Sequence, residues 1–317
     1  MATLQQYSGD AATQATPRNS ASIKAAYRVG GIAFGLFSGA EINPVLDPGL
    51  RSFAIESDLC DVQILVEWAR DLKAPGGAPL FRSGGLWSLF KESGGYRFYF
   101  STPSLGQTPY KAAWFDPEFR RGHVVLHRPY FDGCRSVNPL EYPLDELAMI
   151  YRLSCGEGVE VHGCGVITPD GRGVLLTGHS GAGKNTSSRL WSKQNGARVL
   201  SDDRIILRRE KGRAWMYGTP WHGDAGIAEA DRWPLDGIFV LAHGQKNELR
   251  PLRRAAASAE LYARSFVPHH SPEAAAFNLE FLGKITSDVP CFDFSFVPDI
   301  TAVEALLREE FGKTVAA

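Results

Sequence analysis

The sequence predicts an α/β fold with a β-rich domain at its N-terminal end. The first observation is size and composition, because 317 residues with 44% hydrophobic and 22% charged residues fit about two soluble globular domains. The second is a series of short apolar and aromatic segments, separated by Gly and Pro, before residue 140. The third is an apolar strand, a glycine-rich loop and a helical segment, in that order, over residues 173–191.

The charge balance excludes several classes of protein. Lys and Arg total 34 and Asp and Glu 35, so the formal net charge is −1 and no basic footprint for nucleic acid is expected. No apolar run approaches the roughly 20 residues that cross a bilayer, and residues 1–20 lack the apolar core of a secretory signal. Five cysteines without a Cys-x-x-Cys pair favour neither disulfides nor zinc. We therefore expect a cytoplasmic protein that binds neither nucleic acid nor membrane.

The N-terminal part divides into a tail and a β-rich domain. Residues 1–22 contain little that could be buried, so we expect a disordered tail there. The β-rich domain is expected over 23–140. Within it, the aromatic segment 95–100 is flanked by Gly and Pro and favours a strand, whereas 62–68 fits either a strand or a short helix. No catalytic combination of residue types is recognisable in this part.

The C-terminal domain is expected over 141–317. Apolar residues at helical spacing, followed by glycines, predict a helix over 143–153. Two strand segments, 159–167 and 173–176, flank a Pro-Asp-Gly turn, which makes them antiparallel neighbours. An alternating strand and an amphipathic helix over 289–309 are expected to close this domain.

The glycine-rich loop after the second hairpin strand has the pattern G-x-x-x-x-G-K. Its residues are Gly178, His179, Ser180, Gly181, Ala182, Gly183 and Lys184. Between a strand and a helix this pattern is that of a P-loop, whose backbone N–H groups surround phosphate oxygens. The helix N-terminus adds partial positive charge, and the lysine ammonium reaches the outer phosphates. We therefore expect a nucleotide phosphate site here.

The residue after Lys184 departs from the P-loop pattern. A Ser or Thr hydroxyl usually binds Mg²⁺ at this position, but the chain has Asn185, followed by Thr186. An amide oxygen is an acceptable ligand for a hard cation, although the longer side chain displaces it. Several alternatives stay open: a weaker Mg²⁺ site, a site shifted to Thr186, a nucleotide binder with little turnover, or an asparagine introduced in place of a natural Ser or Thr.

Two adjacent aspartates end the next apolar strand, over residues 198–201. Asp202 follows Lys184 by eighteen residues, and an apolar strand that ends in Asp near a P-loop is the usual source of the second magnesium contact. Adjacent carboxylates on opposite sides of a strand end can divide two tasks, one holding Mg²⁺ and the other accepting a proton from an attacking hydroxyl. The alternative is an acidic turn that pairs with Arg204.

Together these motifs resemble the catalytic domain of the HPr serine kinase/phosphorylase family, including the serine kinases of lasso-peptide gene clusters. The resemblance rests on residues 161–166, the hairpin, the loop 178–184 and residues 200–204, and covers roughly 145–310. It implies a P-loop nucleotide core of the type shared with ATP-dependent phosphoenolpyruvate carboxykinases. The N-terminal part does not resemble that of the HPr kinases.

The resemblance implies an ATP- and Mg²⁺-dependent kinase that phosphorylates a hydroxyl, typically serine, of a protein or peptide. It assigns Lys184 to phosphate, Asp202 to the role of base and Asp203, with Asn185, to Mg²⁺, although the two aspartates could be exchanged. His162 matches a family histidine that orients an aspartate or phosphate; the alternative is a structural histidine. In residues 218–224, Thr219 or His222 could face the acceptor. Arg204, Arg208 and Arg264 are candidates for balancing the transferred charge.

Two other functions remain open. The first is a nucleotide-binding regulatory or scaffold protein with attenuated catalysis, which the asparagine at position 185 motivates. The second is an enzyme of carboxykinase type acting on a small dicarboxylate, which would need further metal ligands and basic contacts. Because members of the resembling family are often oligomeric, the resemblance leaves a homo-oligomer open.

Overall fold

The computed structural model describes residues 21–73, 76–106 and 108–311. The predicted tail over 1–22 lies outside these residues except for its last two positions. The described residues form two compact units. The first contains the chain up to residue 139, apart from Tyr27–Ile32 and Leu46–Ala54, and these two segments group with the second unit, which continues from Leu140.

The first unit is built around a sheet with the order β1-β2-β4-β9-β8-β7-β6-β5. The strands are β1 (Ser22–Val29), β2 (Ile32–Ser38), β3 (Asn43–Pro44), β4 (Val62–Ala69), β5 (Phe81–Ser83), β6 (Trp87–Glu92), β7 (Gly95–Ser101), β8 (Pro109–Phe115), β9 (Arg121–His127) and β10 (Ser136–Val137). The ambiguous segment 62–68 is a strand, and Val62, Ile64 and Val66 are buried with the period of two that a sheet imposes. The strand predicted over 95–100 is confirmed as β7.

The second unit alternates strands with helices. Its strands are β11 (Val159–Ile167), β12 (Gly173–Thr177), β13 (Arg198–Ser201), β14 (Arg204–Glu210), β15 (Arg213–Gly218), β16 (Arg232–Pro234), β17 (Gly237–His243), β18 (Glu248–Pro251), β19 (Ser265–Phe266) and β20 (Cys291–Phe296). Its helices are α1 (Leu144–Ser154), α2 (Lys184–Ser192), α3 (Arg254–Tyr262), α4 (Pro272–Asp288) and α5 (Ile300–Arg308). The predicted first helix, the hairpin and the closing strand and helix are confirmed.

The sheet of the second unit has the order β16-β15-β14-β11-β12-β17-β20-β18, and β13 and β19 also pair with β11. Because β11 is antiparallel to both β12 and β13, these two strands run in the same direction. β12, β17 and β20 are parallel neighbours. The carboxyl ends of β12, β13, β17 and β20 therefore lie at one edge, which is where ligands bind in open α/β sheets.

Helices cover both faces of this sheet. On β12, Leu175 belongs to an apolar cluster with Leu282 of α4, whereas Leu176 belongs to a second cluster with Trp191 of α2 and Leu306 of α5. This alternation buries the strand on both sides, as expected for the parallel part of an α/β sheet. All five cysteines are free thiols. Within the described ranges, every helix is too short or too polar to span a bilayer.

Candidate active site

The register of the sheet brings three of the predicted site residues to the same edge. Gly163 of β11 pairs with Thr177 at the end of β12, so the preceding residue, His162, lies beside the start of the glycine-rich loop. His162 also pairs with Arg204 at the start of β14. Asp203, immediately before Arg204, is therefore close to His162 and to the loop, although these residues are far apart in sequence.

The glycine-rich loop leads directly into α2. Gly183 has a φ of 100°, in the left-handed region, and a Cβ at this position would lie 2.4 Å from Cζ of Phe296. Both observations require glycine at this position. No side chain caps the N-terminus of α2, and its first turn contains no acidic residue. The N–H groups and partial positive charge of this helix end are therefore available to an anion.

Lys184 is folded back onto the loop. Its side chain is buried, and Nζ donates to the carbonyl oxygens of Gly178, at 2.8 Å, and His179, at 2.9 Å. Burial lowers the pKa of Lys184, an effect that the carboxylate of Asp203 opposes and the charge of Arg264 strengthens. The ammonium is thus poorly solvated, and an anion near the loop would favour its charged form.

A cavity of about 410 Å³ opens at this edge of the sheet. It is lined by His162, Ser180, Gly181, Gly183, Lys184, Asn185, Thr186, Asp203, Gly223, Asp224 and His243. Three predicted loop contacts do not line this cavity. Gly178 and Ala182 are buried, and His179 is exposed, with its Nε2 2.9 Å from Nη2 of Arg264.

Asp203 lies in the wall of this cavity between a histidine and an arginine. Its Oδ1 is 3.1 Å from Nδ1 of His162, and its Oδ2 accepts a hydrogen bond from Nη1 of Arg204. Burial tends to raise the pKa of Asp203, but the hydrogen bond with His162 and the charge of Arg204 outweigh it, so the pKa lies below its usual value. Asp203 is therefore an ionised carboxylate that faces the cavity.

Asp202 has a different environment. It is fully buried, and its Oδ1 accepts hydrogen bonds from the N–H groups of Gly223, at 3.0 Å, and Ile227, at 3.3 Å. Its Oδ2 accepts one from the N–H of Ala225, at 2.8 Å. Asp202 thus holds the loop after Trp221 against the end of β13. This geometry does not support the assignment of Asp202 as the base, because a base must reach the hydroxyl from which it takes a proton.

We expect the variant Asp202→Asn to lower the free energy of unfolding by about 2 kcal/mol, because an amide nitrogen then opposes buried N–H donors. Denaturant unfolding of the full chain measures this effect. Asp203→Asn, at the neighbouring carboxylate, whose side chain is 22% exposed, is the matched control and should change stability less. Equal stability of wild type and Asp202→Asn would contradict the structural role of Asp202.

Oxygen donors suited to a magnesium ion line the same cavity. Asn185 and Asp203, the predicted metal contacts, are both present, and Nδ2 of Asn185 donates to Oδ2 of Asp224 at 3.0 Å. Among the described residues, no group of three or more His, Cys, Asp or Glu side chains is arranged to hold a metal by itself. Mg²⁺ bound to a nucleotide needs only one or two carboxylates besides phosphate oxygens, so this donor set fits.

Sequence patterns give no site role to three residues of this cavity, Gly223, Asp224 and His243. Gly223 and Asp224 lie in the segment 218–224, in which only Thr219 and His222 are candidates. His243 ends β17, and its Nε2 lies 2.7 Å from the carbonyl oxygen of Gly181, while its ring stacks on Phe296. Only the parallel pairing of β17 with β12 brings His243 to the loop, and the local sequence around it carries no such signal.

The other candidates are placed in different ways. Thr219 is fully buried and donates its hydroxyl to the carbonyl oxygen of Arg204, so it does not face an acceptor. His222 is exposed. Arg208 forms an ion pair with Glu157, at 2.5 Å. Arg204, which contacts Asp203, is the predicted arginine nearest to the cavity carboxylates.

Comparisons with known proteins give a limited result. No family model matches the chain, and no curated protein matches it. Among solved structures, the Hpr(Ser) kinase/phosphatase from Coxiella burnetii matches with 15% sequence identity and a TM-score of 0.29, covering 47% of this chain and 93% of that chain. A match at this level assigns no role to any residue of the chain.

Proposed function

We propose that the chain is a phosphotransferase that moves the γ-phosphoryl group of ATP to a hydroxyl, typically serine, of a protein or peptide. One observation carries this proposal. A single cavity combines an uncapped helix N-terminus and a buried lysine, which suit a polyphosphate, with an ionised aspartate, which suits an attacking hydroxyl. A general anion site would need only the helix N-terminus and the lysine, and not the aspartate.

Each part has a defined task in the transfer. The loop N–H groups and Lys184 bind the phosphates, with the ammonium exchanging the loop carbonyls for phosphate oxygens. Asp203 takes the proton of the hydroxyl as the oxygen bonds to the γ-phosphorus, and the bond from that phosphorus to the bridging oxygen breaks to release ADP. His162 and Arg204 orient the carboxylate. Asn185 and Asp224 would hold Mg²⁺, which when bound neutralises phosphate charge.

The direct test is transfer of label from γ-labelled ATP to serine peptides by the full chain, together with ATP affinity measured by calorimetry. We expect ATP binding that strengthens with Mg²⁺, and phosphoserine in the product. A chain that does not bind ATP would refute the proposal.

A second candidate is a nucleotide-binding regulator with little turnover, and Asn185 favours it. An amide binds a metal only through its oxygen, and the nitrogen of Asn185 donates to Asp224. We expect Asn185→Ser to raise the transfer rate by about tenfold if the asparagine weakens the Mg²⁺ site, because a hydroxyl is the usual ligand there. Asn195→Ser, in the turn before β13, is the control. Unchanged transfer and Mg²⁺ dependence in Asn185→Ser would show that the asparagine is an adequate ligand.

A further inference from the structure

A second cavity, of about 450 Å³, lies next to the first within the same unit. It is lined by the first residues of the 3₁₀ turn Pro48–Phe53 with its cap Asp47, and by Pro220, Trp221 and His222. We call it the acceptor-side cavity. Asp203 lines both this cavity and the one at the glycine-rich loop.

The carboxylate of Asp203 is placed to act on both sides. Its Oδ1 lies beside His162, which lines the loop cavity, and its Oδ2 lies beside Arg204, which lines the acceptor-side cavity. A hydroxyl that enters the acceptor-side cavity can therefore approach the same carboxylate that faces the phosphates. This arrangement gives the two reactants separate entrances to one proton acceptor.

The acceptor-side cavity is acidic. Asp47 is exposed at its rim, and its Oδ1 accepts from the N–H of Gly49 at 2.9 Å. Asp145 also lines it, and its Oδ2 accepts from Nε1 of Trp221 at 2.9 Å. The cationic side chain in the wall, Arg204, is paired with Asp203 and, at 2.9 Å, with Glu146. The field in this cavity therefore favours a positive charge.

The walls also suit a peptide. Tyr142 at the rim is 65% exposed, and with Asp47 it leaves the cavity open to solvent, so a chain can enter and leave. The aromatic rings of Tyr142 and Trp221 add surfaces against which a cationic side chain can pack. A volume of about 450 Å³ is within the range of cavities that enclose a small ligand or a few side chains.

We infer that the acceptor-side cavity binds a peptide segment in which the serine to be phosphorylated has a lysine or arginine next to it. The serine hydroxyl lies at Asp203 and the basic group lies toward Asp47. This inference rests on the proposed phosphotransferase function and names the class of its acceptor.

The first experiment compares three short peptides with a central serine flanked by lysines, alanines or glutamates. The full chain and ATP are used, and KM for each peptide is obtained from transfer rates. We expect KM to be lowest for the lysine peptide and about tenfold higher for the glutamate peptide. The partly exposed carboxylates of the cavity attract lysine side chains and repel glutamate side chains. Equal KM values would overturn the inference.

The matched variants are Asp47→Asn and Asp132→Asn. Asparagine caps a helix as well as aspartate does, so Asp47→Asn removes charge while keeping the acceptor of the Gly49 N–H. We expect Asp47→Asn to reduce the difference in KM between the lysine and glutamate peptides. Asp132 is an exposed aspartate outside both cavities, so we expect Asp132→Asn to leave this difference in KM unchanged. A difference that both variants leave unchanged would overturn the role of Asp47.

Cross-linking tests the inference without turnover. A carbodiimide joins a lysine amine of the peptide to a carboxylate in contact with it, and mass spectrometry identifies the residue. We expect cross-links at Asp47 in the presence of ADP, and cross-links spread over the exposed acids would overturn the inference. Calorimetry with ATP distinguishes failure of this inference from failure of the proposed function. If the chain binds ATP but shows no preference for basic peptides, the proposed function stands and this inference is refuted.

Discussion

The variant Asp203→Asn is expected to reduce phosphoryl transfer by about two to four orders of magnitude, the usual contribution of a positioned general base. Asparagine keeps the shape of the side chain but cannot accept the proton of the attacking hydroxyl. The ionised state of Asp203, which His162 and Arg204 favour, is the feature that is lost. Single-turnover transfer measures the effect independently of product release.

The affinity for ATP distinguishes the two roles that the sequence left open for Asp203. If Asp203 is the base, ATP affinity in Asp203→Asn should stay the same or rise, because a negative charge near the phosphates is removed, and its dependence on Mg²⁺ should persist. If Asp203 is the metal contact, that dependence should weaken instead. Asp132→Asn, at an exposed aspartate outside both cavities, is the control, because Asp202→Asn would disturb the loop that its carboxylate holds through three backbone N–H groups. Transfer by Asp203→Asn at the wild-type rate would contradict the mechanism.

The variant Lys184→Met is expected to weaken ATP binding by about tenfold to a hundredfold. This range corresponds to the loss of one charge-assisted hydrogen bond to phosphate. Methionine keeps the apolar stem that packs behind the loop, so the change is mainly that of the ammonium. Nζ donates to two loop carbonyls when no phosphate is bound. The contribution of Lys184 to the free energy of ATP binding is therefore the difference between its hydrogen bonds to phosphate and its hydrogen bonds to these carbonyls.

The control for this effect is Lys193→Met, at the exposed C-cap of α2. It removes the same charge from the same helix but away from the loop, and we expect its ATP affinity to stay close to that of the wild type. Calorimetry at one fixed salt concentration compares the three proteins, since added salt screens exposed charges. Equal ATP affinity in Lys184→Met and wild type would show that Lys184 stays on the loop carbonyls, and would contradict its role.

Local sequence signals predicted most elements around the site. The Pro-Asp-Gly turn specified the hairpin of β11 and β12, and the glycines before Lys184 specified the loop into α2. These signals are reliable because each depends on a few neighbouring residues with a fixed backbone preference. The segment 62–68 is ambiguous in sequence, because a short apolar run fits both the helical period of 3.6 residues and the strand period of two. Its pairing with two neighbouring strands makes it a strand.

The environments of the two aspartates could not be predicted in this way. Adjacent residues at a strand end point in different directions, but which of them is buried depends on what packs there. The N–H groups of residues 223–227 fold over Asp202, leaving Asp203 in the cavity wall. A Cβ at Gly223 would lie 2.9 Å from Oδ2 of Asp202, so this approach also depends on a glycine far along the chain.

By itself, the sequence determined that a glycine-rich loop with a lysine follows one apolar strand and that a pair of acids follows the next, because these features depend on short-range patterns and backbone preferences. Only the tertiary structure decided which acid is exposed to the cavity, that Asp224 and His243 join it, and that Asp47 forms the rim of a second cavity. Burial and charge pairing between residues distant in sequence set these outcomes, and they arise only when the segments pack together.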